Sequence, residues 1–392
     1  MRAEEVTLLL VVFSIFVIMR IIPWPQWIPV PARYADASLY VEAGTAYVTG
    51  APLGSINPEH PPLAKYIIGA FSVFLHNPNL SSVSFGFLTA CAALMLTRKL
   101  TAGSAWSTLV VWILAFDQVN ISISIRPMLD IFMIFFGLLG LWLLVSARTN
   151  YCSLSAGLSL GLAVACKWTG IFFLFPVLIF TLWERRPLSA VIELAAAIVA
   201  YTVTYLQLLR IEGLWGFVRS QILIISYMSK LHVGIHTSLL TRVLTPVIYH
   251  LFTFAPASGC IPDHCSDAVS LLGQPYLSMA NTVNALIVLF LFPVLYWLAK
   301  SYGSMFAGRQ RTVVLLMLVL MSFLTYEIIN PTNINVWYFA PMGTVIAIVS
   351  PAVLWDFQKR GRKFKLPVYL YLTVLTTWLL YANAIYMLRK PI

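Results

Sequence analysis

Long apolar stretches recur from one end of this chain to the other, and they constrain its fold more than any other feature. Of the 392 residues, 60% are hydrophobic and only 10% are charged, whereas a soluble domain carries about a quarter charged residues. A membrane-spanning helix needs about 20 apolar residues, and fewer where neighbouring helices shield it. The pattern therefore predicts an all-α integral membrane protein built as a multi-span helical bundle, and it excludes a soluble globular domain.

The apolar stretches and the loop charges together predict a topology. About eleven spans are expected, at 7–22, 80–97, 104–120, 127–146, 152–166, 169–183, 188–209, 280–299, 312–329, 336–355 and 366–388. Lysine and arginine gather in alternate short loops, most densely at 359–365, and short basic loops stay in the cytoplasm. We therefore expect a cytoplasmic N-terminus and an outer C-terminus. Because these loops account for much of the net charge of +11, no nucleic-acid partner is expected.

Two long segments, 23–79 and 210–279, fall on the outer face in this topology. Within the first, residues 33–49 can form a helix that lies in the membrane interface. Residues 63–75 are strongly apolar, but 13 residues are too few to span comfortably, so an interfacial or partly inserted helix is expected. We expect one integral domain over the whole chain. Its core would occupy 1–210, and an outer loop with four C-terminal spans would occupy 211–392.

Asp36 is the sharpest single candidate for chemistry in the first outer segment. It lies a short distance after the first span, on the outer face. A carboxylate that is desolvated where the bilayer meets water has a raised pKa, which suits a general base. The alternative is a solvated surface acid or a helix N-cap.

The same segment contains a Glu-His-Pro-Pro-Leu-Ala-Lys run at 59–65. The prolines fix the backbone and hold Glu59 and His60 at the start of an apolar helix, whose N-terminus favours an anion. Lys65 follows one turn further in. These residues are candidates for holding an anion. Alternatively, the prolines only start a helix and the polar side chains snorkel to the interface.

More ionisable residues stand where predicted spans reach the same face. Arg126 and Asp130 open the fourth span and can pair across one helical turn. Lys167 ends the fifth span, and Tyr338 lies near the start of the tenth. Ionisable residues at membrane depth are costly and therefore point to function; a structural ion pair, a snorkelling lysine and an interfacial aromatic belt are the alternatives. The topology thus gathers on one face Asp36, Glu59, His60, Lys65, Arg126, Asp130, Lys167 and Tyr338.

The cysteines give a weaker signal. Cys260 and Cys265 lie five residues apart in the second outer segment, where oxidation to a disulfide is one interpretation. His264 lies beside them, which leaves a metal site as the other interpretation, although three ligands are one fewer than a structural zinc site uses.

These motifs, in this order, resemble the dolichyl-phosphate-mannose–protein mannosyltransferases (glycosyltransferase family 39), which have the multi-span GT-C fold. The resemblance covers nearly the full length of the chain. The first-loop acid of the family looks like Asp36, and its His-Pro-Pro-Leu-Gly-Lys segment is similar to residues 60–65. Its Gly-Leu-Ala…Lys-Trp-Thr-Gly segment resembles residues 161–170. Further similarities are Arg…Leu-Asp at 126–130, Leu-Leu-Gly-Gln-Pro at 271–275 and Trp-Tyr-Phe-Ala-Pro at 337–341.

The chain departs from the family pattern in the first loop. The family usually shows Asp-Glu there, whereas Ala37 follows Asp36 in this chain, and Glu42 or Glu59 is the candidate replacement for the second acid. The middle outer segment only approximates the family's pair of histidines around a leucine.

The resemblance implies a hexosyltransferase that moves a sugar, mannose in the family, from a polyprenyl (dolichyl) phosphate to Ser or Thr hydroxyls of exported proteins. Asp36 would be the catalytic base. The donor phosphate would be bound by His60, Lys65, Arg126, Lys167 and Tyr338, with Glu59 and Asp130 as supporting acids. The compact form, without an inserted soluble domain, suggests a prokaryotic plasma membrane with the active site on its extracytoplasmic face.

Alternatives remain open at this point. The acceptor of a related GT-C transferase would be a lipid or a glycan. A non-catalytic scaffold or a transporter is the alternative outside enzymes, although a transporter would place its charges near the bilayer midplane. The sequence does not establish a cofactor. Some relatives use a divalent metal, which Glu59 and His236 are candidates to bind.

Overall fold

The computed structural model describes residues 3–21, 35–146, 149–232, 308–329 and 340–359, together with residue 373. Throughout these ranges the regular elements are helices, which confirms the expected all-α architecture. In chain order they are α1 Ala3–Ile21, α2 Ala35–Val48, α3 Leu63–Leu75, α4 Pro78–Leu100, α5 Thr108–Phe116, α6 Gln118–Ile125, α7 Leu129–Ser146, α8 Asn150–Cys166, α9 Ile171–Trp183, α10 Pro187–Val203, α11 Leu206–His232, α12 Gly308–Ile329 and α13 Ala340–Lys359. Short 3-10 turns at Ala105–Ser107 and Trp168–Gly170 precede α5 and α9.

Two of the described helices, α4 and α7, are long and apolar enough to cross a membrane. The number rises to four if each of two bent helix pairs counts as one span. One such pair, Pro187–Val203 with Leu206–Ser226, corresponds to the predicted span 188–209, which the structure bends by 103°. The predicted spans 280–299 and, apart from residue 373, 366–388 lie outside the described residues, so the number eleven stays a prediction.

The first outer segment contains the two short helices that were expected there. Helix α2 falls within the predicted 33–49, and α3 has the bounds predicted for the apolar piece 63–75. The helices cross where Gly44 meets Gly69, and a Cβ added to Gly44 would lie 2.2 Å from the Lys65 carbonyl oxygen. Only glycine permits this backbone contact. The contact holds α2 against α3, and it thereby holds both ends of the loop that joins the two helices.

The helices form two compact units. The first unit consists of Met1–Pro29, Ala93–Ser122 and Leu239–Ile392, and the second of Val30–Ala92 and Ile123–Ser238. In the first unit α1 and α13 both pack on α5. There the buried Arg20 side chain donates hydrogen bonds to the carbonyl oxygens of Phe16 and Leu114, at 3.2 and 2.9 Å. The expected division of the chain at residue 210 stays a prediction.

In the second unit, α8 lies between α7 and α10 and packs closely against both. Small residues allow the close approach to α10. A Cβ added to Gly157 would lie 2.4 Å from the Glu193 carbonyl oxygen, and one added to Gly161 would lie 2.3 Å from that of Ala197. Backbone contact through spaced glycines is a common way to pack membrane helices. The glycine contacts fix the C-terminal end of α8 against α10. Lys167, one of the predicted site residues, directly follows that end.

Candidate active site

A buried ion pair between Lys167 and Asp130 lies at the centre of the candidate site. The Lys167 Nζ atom is 2.7 Å from Asp130 Oδ1, and the two side chains are only 5% and 2% exposed. Lys167 ends α8 in an extended conformation, while Asp130 lies in the first turn of α7. The second carboxylate oxygen of Asp130 is buried and has no hydrogen-bond partner in the described part of the chain. The pair therefore retains one unused acceptor.

Arg126 lies just before α7 and not within it. Helix α7 begins at Leu129, so Arg126 lies in the turn before the helix, where the spacing of one helical turn no longer determines which side chains meet. The guanidinium is buried, at 9% exposure. The ion pair that the structure shows for Asp130 is the one with Lys167.

Lys65 is a second buried lysine in this unit. It is 1% exposed, its Nζ atom donates to the main-chain carbonyl of Asn57, and it lies 5.6 Å from the centre of the Tyr47 ring. Burial lowers the pKa of Lys65 from 10.5 to about 7, and the charge of Glu59 opposes this shift. Lys65 is therefore a cation whose proton is weakly held near neutral pH.

Asn57 connects the polar residues of the loop, and the sequence interpretation missed it. Its carbonyl accepts from Lys65, and its side-chain amide donates to Glu59. Asn57 is buried and has φ 52°, in the left-handed region where asparagine is well tolerated. The Asn-Pro sequence at 57–58, typical of a turn, was the only available signal. The loop is held further by the Tyr47 hydroxyl, which donates to the Ile56 carbonyl.

His60 is half-buried and packs edge-on against Tyr40, with ring centroids 5.7 Å apart. Burial lowers the pKa of His60 well below 6.5, and the positive charges of Lys167 and Lys65 lower it further. The ring is therefore neutral at pH 7. Its Nδ1 atom is buried and makes no hydrogen bond to any residue that the structure describes, so it is available to a ligand.

Asp36 lies in the first turn of α2, and its side chain is exposed. Desolvation by the surrounding protein raises the pKa of Asp36, the charge of Lys167 lowers it, and the charges of Asp130 and Glu59 raise it. The carboxylate keeps contact with solvent, and a raised pKa makes a carboxylate a better proton acceptor, as a general base must be.

The structure distinguishes Glu42 from Glu59, the two candidates for the second acid of the first loop. Ala37, which stands where the family usually has glutamate, is 7% exposed and belongs to the core. Glu42 points to solvent on α2. Glu59 interacts electrostatically with Asp36. Glu59 is therefore the acid that accompanies Asp36.

Six of the eight predicted site residues, all of them in the second unit, each interact electrostatically with at least one of the others. These are Asp36, Glu59, His60, Lys65, Asp130 and Lys167. Arg126 is buried just before α7, whereas Tyr338 lies outside the described residues, as do His236, Cys260 and Cys265. Within the described ranges no three His, Cys, Asp or Glu side chains are grouped to hold a metal.

The helices have the GT-C fold, and the long apolar helices are those of a multi-pass membrane protein. The chain is similar to the archaeal oligosaccharyltransferase AglB from Archaeoglobus fulgidus, in complex with an inhibitory peptide and a dolichol-phosphate. The TM-score is 0.61 at 15% identity, over 98% of this chain and 55% of that one. It is also similar to ArnT from Cupriavidus metallidurans bound to undecaprenyl phosphate. There the TM-score is 0.51 at 12% identity, over 90% of this chain and 59% of that one.

Residues 79–225 match the model of the family described as dolichyl-phosphate-mannose-protein mannosyltransferase. This confirms the family resemblance that the sequence motifs indicate. The S. cerevisiae protein O-mannosyltransferase Pmt1-Pmt2 complex bound to the sugar donor matches over 54% of this chain and 34% of that one, with a TM-score of 0.44 at 16% identity. That similarity is too low to support an argument about the fold. No curated protein sequence matches the chain, and the chain spans between half and two thirds of the length of AglB and ArnT.

Proposed function

We propose that the chain transfers a sugar, mannose in the first instance, from a polyprenyl-phosphate donor to Ser or Thr hydroxyls of exported polypeptides. The observation that carries this proposal is the electrostatic interaction of Asp36 with the buried Lys167–Asp130 pair, whose lysine also acts on His60. A base next to a group of cations suits a reaction in which a hydroxyl loses a proton while a phosphate departs.

Asp36 is the base in this mechanism. Its carboxylate takes the proton of the acceptor hydroxyl as the hydroxyl oxygen attacks the anomeric carbon of the donor sugar. The bond from that carbon to the phosphate oxygen breaks on the opposite face of the sugar, so the configuration inverts. The products are the glycosylated acceptor, the polyprenyl phosphate carrying the electron pair of the broken bond, and protonated Asp36.

The leaving phosphate gains negative charge as the bond breaks, and preorganised cations stabilise this charge. Lys65 and Arg126 are assigned to this role, with Lys167 contributing from its pair with Asp130. His60, neutral and with an unused Nδ1 atom, orients the phosphate by a hydrogen bond. Glu59 keeps the loop in place through Asn57. Tyr338 is assigned to the same phosphate on the family resemblance alone.

The proposed location is the extracytoplasmic face of a prokaryotic plasma membrane. Short basic loops, such as 359–365, stay in the cytoplasm. In the predicted topology the candidate site residues lie on the other face of the membrane. Polyprenyl chains are apolar, so the donor reaches the site from the bilayer, whereas an exported polypeptide reaches it from outside.

A direct test uses purified protein in lipid nanodiscs with radiolabelled polyprenyl-phosphate mannose and a Ser/Thr-containing peptide. Asp36→Asn removes the base but keeps the size of the side chain, and it should lower the transfer rate by about 100- to 10,000-fold. Glu42→Gln is the matched control, because Glu42 is an exposed acid on the same helix, and it should keep wild-type activity.

The products decide between the acceptor classes. Label in the peptide supports the proposed function. Label in a lipid or glycan fraction would replace it with the related transferase activity, and full activity of Asp36→Asn would remove Asp36 from the mechanism.

A further inference from the structure

A cluster of neutral aromatic and amide side chains lies beside the end of α8, on the other side from the ion pair. Lys167 is extended, with φ −154° and ψ 137°, and consecutive side chains of extended backbone point to opposite sides. Lys167 faces Asp130 on α7, whereas Trp168 packs against Tyr201 on α10 with ring centroids 6.0 Å apart. The cluster thus begins one residue away from the ionic site, a Cα–Cα distance of about 3.8 Å.

The tyrosine hydroxyl groups of this cluster already have hydrogen-bond partners. The Tyr201 hydroxyl donates to Gln221 Oε1 at 2.6 Å and lies 3.1 Å from the Tyr205 hydroxyl. A phenol has one proton to give. Because Tyr201 gives its proton to Gln221, Tyr205 must be the donor in the bond between the two tyrosines. Both hydroxyl protons and the Gln221 carbonyl oxygen therefore have partners.

Two N–H donors are left over. Trp168 Nε1 and Gln221 Nε2 are buried and make no hydrogen bond within the described ranges. Gln221 also interacts with Tyr205, but its Nε2 atom makes no bond of normal geometry. A buried donor without an acceptor is costly, so an oxygen acceptor is favoured at each of the two positions. The remainder of each side chain is only partly buried, so a ligand on the surface of the unit can contact Trp168 and Gln221 and reach their N–H groups after a small rotation of the side chains.

We propose that Trp168 and Gln221 form a subsite for main-chain carbonyl oxygens of the acceptor polypeptide, a proposal that rests on the proposed function above. The groups left over can only donate. They match a peptide carbonyl, which can only accept, better than a sugar hydroxyl, which must also give its own proton. The cluster itself carries no charged member, in contrast to Lys65 and Lys167, whose cations suit a phosphate.

Aromatic rings connect this subsite to the ionic site. Tyr205 shares a buried cluster with Tyr47, and the Lys65 Nζ atom is 5.6 Å from the centre of the Tyr47 ring. An extended polypeptide advances about 3.3 Å per residue. Lys167, the residue before Trp168, interacts electrostatically with Asp36, so a chain held at Trp168 and Gln221 can present a Ser or Thr hydroxyl a few residues away to Asp36.

The test uses the full chain in lipid nanodiscs and a fluorescently labelled Ser/Thr peptide. Trp168→Phe keeps an aromatic ring and removes the N–H, so the peptide Kd and the acceptor KM should each rise about fivefold, as expected for one lost hydrogen bond. Gln221→Glu replaces the amide donor by a carboxylate oxygen that repels a carbonyl, and the same constants should rise about tenfold or more. The donor KM should not change in either variant.

Trp215→Phe is the matched control, because Trp215 lies on the same helix as Gln221 but is 75% exposed; it should behave like the wild type. Gln221 and Trp168 lie on different elements, so a folding defect in one variant, detected by its melting temperature, leaves the other as the test. Wild-type peptide affinity in whichever variants fold, or a rise in the donor KM in place of the acceptor KM, would overturn the subsite.

Peptide binding that weakens in both variants, without any transfer by the wild type, would support the subsite and refute the proposed function. Sugar transfer by the wild type, together with unchanged peptide affinity in both variants, would support the proposed function and refute the subsite.

Discussion

The two buried lysines of the second unit differ in how their charge is balanced. Lys167 contacts the Asp130 carboxylate at 2.7 Å. Lys65 is at least as deeply buried, yet its direct partner is the neutral carbonyl of Asn57, and among the described residues it makes no ion pair. One lysine completes a structural pair, while the other holds a charge that the protein only partly compensates.

This difference indicates separate roles for the two lysines. A cation already paired with a carboxylate gains less from an incoming phosphate than one without a counter-ion. Lys65 should therefore respond to the donor, and Lys167 should mainly hold α8 to α7. The following substitutions test that division.

The largest effect is expected for Lys167→Met. It leaves Asp130 as a buried carboxylate without its cation, which costs about 3–5 kcal/mol of stability. Removing both charges in Lys167→Met/Asp130→Leu should restore most of that loss, because an apolar pair replaces a buried ion pair at little cost. Unfolding in detergent, followed by circular dichroism, measures both variants. If the single variant were as stable as the wild type, the pair would not be structural.

A pH effect should follow from Lys65. Its pKa in the folded chain is about 7, against 10.5 for an ordinary lysine. Between these values the unfolded chain binds the proton and the folded chain does not, so Lys65 makes stability rise from pH 7 toward pH 10. A donor phosphate prefers the protonated form, so the donor KM should rise above pH 7, by up to about tenfold per pH unit.

Lys65→Arg is the control for this pH effect, because arginine stays protonated. Its donor KM should be flat from about pH 6.5 to 8.5. Equal slopes in the two proteins would assign the pH dependence to another group.

The smallest effect is expected at Asn57. Asn57→Gly keeps the left-handed backbone and the carbonyl that binds Lys65, and it loses the bond to Glu59, which contributes about 1 kcal/mol. Asn57→Ala should be less stable by about 1 kcal/mol more, since alanine is strained at φ 52°. Melting temperatures measure the difference. The donor KM should stay near the wild-type value in both variants, and a large rise would show that the Asn57 side chain positions Lys65.

Much of the fold near the site could be predicted from the sequence. The bounds of α3 agree with the apolar piece 63–75 because Pro62 precedes it and His76, in the left-handed conformation, ends it. The bend after Val203 could not be predicted, since no proline or glycine marks the position. It depends on tertiary packing, which a hydropathy pattern does not contain.

The sequence named the candidate site residues but not the ion pair between Lys167 and Asp130. The i,i+4 spacing of Arg126 and Asp130 favoured a pair, yet α7 starts at Leu129, so the partner comes from α8. Contacts across the fold of this kind have no local signal. Trp168 and Gln221 were missed for another reason: isolated polar groups next to apolar sequence look like ordinary packing residues until their hydrogen bonds are counted.

The glycine contacts of α8 have a mechanical consequence. Gly157 and Gly161 touch the main chain of α10 directly, so sliding α8 along its axis would require the two helices to separate. Lys167 is six residues beyond Gly161, about 9 Å along the axis, and its height above the membrane centre is set by that interlock. Changes in bilayer thickness should therefore tilt α8 and α10 together, as one rigid body, rather than slide one helix along the other.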